Sequence, residues 1–294
     1  MLDRFTKGVL WTLAAVFLYS CGHGAAAAIS SEVPVYQVQF LQYSTSSLIL
    51  LFFSGKTAFE KPSNIKLYLC RCIAGMGTSF SFMMAVRHLN LLDAILLNTT
   101  SPFYMPLIGM FWLKEKSSFL IWPLLLLGFC GTALILPPSK EVFQSGAIFA
   151  LASGFLSALA LSSLRALNQR NEPILKVVFS YILFGAVTTG IMCLFSWHPL
   201  SGREYFLGIV GGICLGMNQI CLCRSFRLAT SSSLAPYGYF SFLFSAAIGW
   251  FVFDQPIHFP VVLGALLICI TGILTHRIHW MQQRFHQRTA AFRD

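Results

Sequence analysis

The chain has 294 residues, 56% of them hydrophobic and only 10% charged, with a mean hydropathy of +0.71. A soluble domain carries about 25% charged residues, so this chain lacks the charge to cover a surface facing water. Its net charge of +10 does not mark a nucleic-acid binder, because the basic residues are scattered through short stretches between apolar runs.

A helical span needs about 20 apolar residues. Ten such segments are predicted, at 8–29, 35–54, 66–86, 92–113, 118–136, 146–166, 174–197, 204–225, 231–253 and 259–278. The runs do not alternate apolar and polar residues, which excludes a β-barrel. The first segment holds His23 between Gly22 and Gly24. The second holds Gln39 and Gln42, three apart and so on one helix face, followed by Tyr43. The third opens on Cys70-Arg71-Cys72, with Arg71 one turn or so inside its end. The fourth runs through Asn98, Thr99, Thr100 and Ser101 into Pro102, Tyr104 and Pro106. The eighth carries Gly208, Gly212 and Gly216, a small-residue face that admits a close neighbour, then Asn218, Gln219 and Arg224. The ninth contains Pro236, Tyr237 and Tyr239. A basic tail, 279–294, follows the tenth.

Seventeen of the 20 Lys and Arg residues fall on one side of this topology, against Arg87, Lys140 and Arg203 on the other. The positive side is expected to be cytoplasmic, with both termini on it. Asp3–Lys7, the apolar stretch after it and Ala25–Ala28 resemble a signal peptide with a cleavage site. An internal repeat argues instead that the first segment belongs to the fold.

Gly8/Gly146, Leu13/Leu151, Ala14/Ala152, Phe17/Phe155 and Leu18/Leu156 match at a spacing of 138. Pro34/Pro173, Val38/Val177 and Phe40/Phe179 follow, and then Ser101/Ser241, Ile108/Ile248, Gly109/Gly249, Phe111/Phe251 and Phe119/Phe259 match at 140. Five helices therefore repeat, over 1–136 and 146–278. Because five is odd, the second copy enters the membrane from the opposite side. The expected fold is all-α, two inverted five-helix repeats with a site near the midplane.

The segments LNTTSPFYMPLIGMFWLKEK (97–116) and LAPYGYFSFLFSAAIGWFVFDQP (234–256) end in Glu115 and Asp254. In organisation and in these stretches the chain resembles the EamA-type members of the drug/metabolite transporter superfamily. VQFLQYSTSSLILLF (38–52), LCRCIAGMG (69–77) and APYGYF (235–240) are similar to the S-adenosylmethionine transporters of intracellular bacteria. The resemblance implies a multi-pass protein of the bacterial inner membrane that carries a small molecule. Gln42 stands where family members often carry an arginine, so no carboxylate contact is implied there.

The candidate substrate-binding residues are His23, Gln39, Gln42, Tyr43, Asn98, Thr99, Tyr104, Asn218, Gln219, Tyr237 and Tyr239. Buried amides and hydroxyls are costly in lipid and should face the bundle, as interhelical ties or as a substrate path. Tyrosine faces attract a sulfonium or ammonium group. Pro102, Pro106 and Pro236 are candidate hinges, since proline frees a backbone carbonyl. Arg71 and Arg224 are expected to snorkel to headgroups, or else to capture an anionic group at the cytoplasmic mouth.

All ten acidic residues lie in loops, at helix ends or in tails, which favours exchange or facilitated flux over proton coupling. The nine cysteines, odd in number and inside apolar runs, suggest neither disulfides nor a metal site. No cofactor is expected, and no nucleotide-binding or catalytic motif is present. A secondary carrier is thus expected, for S-adenosylmethionine/S-adenosylhomocysteine exchange or for export of an amino-acid or drug-like metabolite. A channel, distinguishable by single-channel currents, is the alternative of another class. Either a monomer or a homodimer fits.

Overall fold

The computed structural model describes residues 3–30, 32–54, 63–89, 91–115, 118–136, 139, 146–254 and 258–291. Among them the regular structure is entirely helical: α1 (Arg4–Ala27), α2 (Val35–Ser54), α3 (Ile65–His88), α4 (Leu91–Asn98), α5 (Ser101–Phe111), α6 (Ile121–Ile135), α7 (Ala147–Gln169), α8 (Ile174–Cys193), α9 (Gly202–Leu228), α10 (Ser231–Leu234), a 3₁₀ turn (Ala235–Tyr239), α11 (Phe240–Phe253) and α12 (Phe259–Ala291). Seven helical stretches are long and apolar enough to cross a bilayer, and Ile121–Ile135 is a shorter apolar helix. α2 falls outside that set because Gln37, Gln39, Gln42 and the run Ser44–Ser47 lower its hydropathy.

Helix ends follow local chemistry. Asp3 caps α1 by accepting from Thr6 N at 2.9 Å, and Asn64 does the same for α3 through Leu67 N. Ser201 and Glu204 form a reciprocal capping box at the start of α9. Segment ends shift accordingly: α1 begins at Arg4 and α8 stops at Cys193. α12 runs on through what reads in sequence as a tail.

The fourth segment is not one helix. It breaks at Thr99–Thr100, where the two hydroxyls bond back to the carbonyls of Leu96 and Leu97 at 2.6 and 2.7 Å. Pro102 then starts α5, since it can donate no bond back into α4. α7 seals the break: a Cβ on Gly154 would come within 2.9 Å of the Asn98 carbonyl, and Asn98 Nδ2 donates to Ser153 Oγ at 2.7 Å. The ninth segment breaks likewise, with Pro236 opening the 3₁₀ turn. Just beyond it, in the first turn of α11, Ser20 of α1 donates to the Ser241 carbonyl at 2.9 Å. Irregular backbone inside a bundle persists only when neighbours satisfy it in this way.

α1 packs against α9 and α11, and α7 against α3, α4 and α5. α2 lies on α8 and α9, and α6 lies on α12. The glycine face of α9 receives α2: an added Cβ would meet Leu41 at Gly208 and Thr45 at Gly212, and Ser46 Oγ bonds to the Gly212 carbonyl. At the α6–α12 crossing, Gly131 and Gly264 each face the other's carbonyl oxygen at a distance that leaves no room for a Cβ. Gly264→Val should therefore destabilise the solubilised protein by about 2 kcal/mol in thermal melts. Gly202→Ala, with no atom within 4 Å of the new Cβ, should leave the melting temperature unchanged.

Candidate functional site

α1 buries a stripe that includes Phe5, Gly8, Thr12, Ala15, Val16 and Gly22. Tyr19 and His23 continue that stripe at helical spacing, yet Tyr19 is 47% exposed and His23 is also exposed. Side chains on the inward face that solvent still reaches line an internal opening. The two rings contact each other, with centroids 4.2 Å apart.

α2 and α8 supply the floor of this opening. Gln42 Nε2 donates to the Gly22 carbonyl at 3.4 Å. The hydroxyls of buried Tyr43 and Tyr181 lie 3.3 Å apart, their rings edge to face at 82°. Both rings occupy space left by glycines, since a Cβ on Gly185 would come within 2.7 Å of Tyr43 and one on Gly75 within 2.5 Å of Tyr181.

Arg71 of α3 stands against this floor. Its guanidinium lies 4.2 Å over the Tyr181 ring, and Nη2 donates to Gln219 Oε1 at 2.6 Å. Gln219 donates on to Asn218 Oδ1 at 3.2 Å, and Asn218 to the Ala15 carbonyl at 2.7 Å. A polar chain thus crosses from α3 through α9 to α1. The snorkelling expected of Arg71 does not occur. The residue is only 5% exposed and turns into the bundle, because a tyrosine face and an amide oxygen solvate its charge there. Arg224, by contrast, is exposed and lies over the Trp11 ring at 4.6 Å.

The structure brings His23, Gln42, Tyr43, Asn218 and Gln219 together and sends the other candidates elsewhere. Gln39 is half-buried and forms no hydrogen bond to a described residue. Asn98 and Thr99 serve the α4 break, and Tyr104 packs edge-on against Phe155. Tyr237 donates to the Gly272 carbonyl at 3.1 Å and contacts Phe5 and Phe240. Tyr239 is fully buried against Gly128, its hydroxyl without a partner. Pro106 lies inside α5. Sequence reasoning misses two residues of this opening: Tyr19 and Tyr181 sit in apolar runs that do not set them apart from interfacial aromatics. Arg71 is legible there as a snorkelling residue or as an anion contact at the cytoplasmic mouth.

At the end of the bundle that carries most basic residues, two carboxylates tie helix ends together. Glu115 accepts from Arg165 Nε at 2.7 Å, Gln169 at 3.3 Å and Ser231 N at 3.1 Å, joining the end of the fourth segment to α7 and α10. Glu172 accepts from Lys176 at 2.9 Å, Tyr68 at 3.0 Å and Ser63 N at 2.9 Å, and Arg227 reaches its carbonyl. Both carboxylates are at helix ends, as the sequence implies, but both are largely buried. So is Asp93, which accepts from Ser139.

Burial alone would raise the Glu172 carboxyl, but the Ser63, Lys176 and Tyr68 donors outweigh it and hold it down at about 2, from an ordinary 4.5. A depressed carboxylate contributes stability above its unfolded value and loses it as pH falls through the folded one. Glu172→Gln should lower the melting temperature at pH 7 by about 4 °C. That difference from wild type should shrink between pH 4.5 and 2.

Residues 6–136 match the EamA-like transporter family. A pseudopaline exporter of Pseudomonas aeruginosa is 25% identical, over 94% of this chain and 98% of its own. A riboflavin transporter of Vibrio cholerae is 22% identical, over 90% and 91%, and an S-adenosylmethionine uptake transporter of Rickettsia felis 23%, over 91% of both. A crystal structure superposes with a TM-score of 0.80 at 15% identity, covering 93% of this chain and 99% of the other, a likeness of fold alone. The resemblance drawn from the sequence is thus found again in the match over residues 6–136 and in these transporter relatives, and the apolar helices are those of a multi-pass membrane protein.

Proposed function

We propose that this protein is a secondary carrier that moves a small polar metabolite by alternating access. The observation that carries the reading is the pair Tyr19 and His23, open to solvent on an otherwise buried face, above a polar floor and opposite a bundle end locked by Glu115 and Glu172. One side of the path is accessible while the other is tied.

Within this reading the helices form ten segments in two inverted repeats. α4 with α5 makes the fourth segment, and α10, the 3₁₀ turn and α11 make the ninth. Two features support this. Exchanging the halves turns the α1–α9 contact into α7–α3 and the α1–α11 contact into α7–α5, while α2–α8 and α6–α12 map onto themselves. The fourth and ninth segments are both broken, and both end on a left-handed residue, Lys114 (φ 54) and Asp254 (φ 51), 140 positions apart.

The first substrate reading is exchange of S-adenosylmethionine for S-adenosylhomocysteine. The Rickettsia relative supports it, and tyrosine faces suit both an adenine ring and a sulfonium. Export of an amino-acid-derived metabolite is the second, favoured by the pseudopaline exporter. In proteoliposomes preloaded with S-adenosylhomocysteine, labelled S-adenosylmethionine should enter only when the partner is inside. Gln42→Ala and Tyr19→Ala should each reduce flux about tenfold while remaining folded. Unchanged flux in both would remove this placement of the site. Tyr237→Ala should instead act mainly on stability.

A further inference from the structure

Two basic residues of the bundle, half-buried Arg165 and buried Lys176, are neutralised by carboxylates, Arg165 by Glu115 at 2.7 Å and Lys176 by Glu172 at 2.9 Å. Arg71 is 5% exposed and has no carboxylate in ion-pair range among the described residues. Its Nε is sealed from solvent and hydrogen-bonded to nothing. A guanidinium cannot escape burial by losing its proton, and a buried charge without a counter-charge is costly. Gln219 and the Tyr181 face meet only part of that cost.

The place of this charge is as informative as its isolation. The ring it lies over, Tyr181, forms the floor of the opening with Tyr43, their hydroxyls 3.3 Å apart. Gln42, next to Tyr43 on α2, reaches the Gly22 carbonyl beside His23 at 3.4 Å, and His23 contacts Tyr19 in that opening. The unused Nε–H and the Nη2 group engaged by neutral Gln219 form one edge of the guanidinium, the edge that grips both oxygens of a carboxylate. A carboxylate oxygen replacing Gln219 Oε1 would complete that fork, with the tyrosine hydroxyls as further donors. A single positive charge matches a monoanion. A phosphate dianion would leave one charge uncompensated.

We infer that Arg71 is the receiving group for a carboxylate on the transported metabolite, and that the occluded side chain is held by Tyr181 and Gln219 until this anion displaces the amide. The inference rests on the carrier reading and narrows it to carboxylate-bearing cargo.

The test uses purified full-length protein. In detergent, sodium acetate should raise the wild-type melting temperature saturably by about 2 °C over sodium chloride at equal ionic strength. Arg71→Gln should abolish that response and melt higher than wild type without ligand, because it removes an uncompensated charge. Arg71→Lys keeps the charge but not the fork, and should weaken the response severalfold. No acetate-specific rise in wild type, or one retained in Arg71→Gln, overturns the inference. In vesicles, counterflow of methionine against methioninamide, and of S-adenosylmethionine against its decarboxylated analogue, separates the two readings. Wild-type flux at least tenfold faster for the acids, with that preference lost in Arg71→Gln, supports the site. Flux indifferent to the carboxylate overturns it and leaves the carrier standing. An Arg71-dependent acetate response with no flux of any compound removes the carrier and leaves the anion site.

Discussion

The close approach of α9 to α1 and α2 is the constraint on which the rest of the bundle depends. Three glycines, Gly208, Gly211 and Gly212, let α2 press onto α9 until Leu41, Gln42 and Thr45 occupy the space of their missing side chains. On the other side, Gly8 of α1 admits Ala229 and Leu228, and Thr12 bonds Ser225 at 2.6 Å. In lipid the hydrophobic effect does not draw helices together, so small residues and interhelical hydrogen bonds must do so. With α9 fixed, Asn218 and Gln219 reach α1 and α3 at one level. That level becomes a polar floor inside an apolar bundle.

Charge is distributed unevenly about this floor. Carboxylate–cation pairs lie where helices end and loops begin, and they knit α3, α7, α8, α9 and α10 together at one end. Deeper in, polar contacts are neutral amides and hydroxyls, except for Arg71. Such an arrangement makes one end cohesive; at the opposite end the Gln37 amide exchanges two hydrogen bonds with the His198 backbone at 2.7 and 2.9 Å. The broken fourth and ninth segments lie between these regimes, where a freed carbonyl can change partner at small cost.

Much of this is legible in the sequence because hydropathy and proline act locally. The apolar runs mark the helices, Pro102 and Pro236 mark the two breaks, and the glycine spacing in 208–216 marks a close crossing. Amides at Gln42, Asn218 and Gln219 had to point inward, and they do. What depends on the angular position of a side chain about a packed helix is not legible. Tyr19 and Tyr181 sit in apolar runs and Tyr237 and Tyr239 follow Pro236, yet the first lines an opening, the second supports Arg71, the third ties α12 and the last fills a space beside Gly128. Arg71 differs from a snorkelling arginine only through residues on α8 and α9, more than a hundred positions away.

A fixed positive charge among the spans also has an electrical meaning. A cavity that opens first to one side and then to the other leaves Arg71 at the potential of whichever side it faces. Moving one elementary charge through the membrane field involves about 2.3 kcal/mol per 100 mV. An empty carrier reorienting with Arg71 bare would pass that charge through the field on every cycle; a cargo of net charge −1 would cancel it, whereas a zwitterion would leave it unchanged. With a monoanionic cargo, voltage would penalise the empty return in one direction and leave the loaded steps nearly untouched. For such a cargo, a carrier built this way would be driven towards exchange by its own buried arginine.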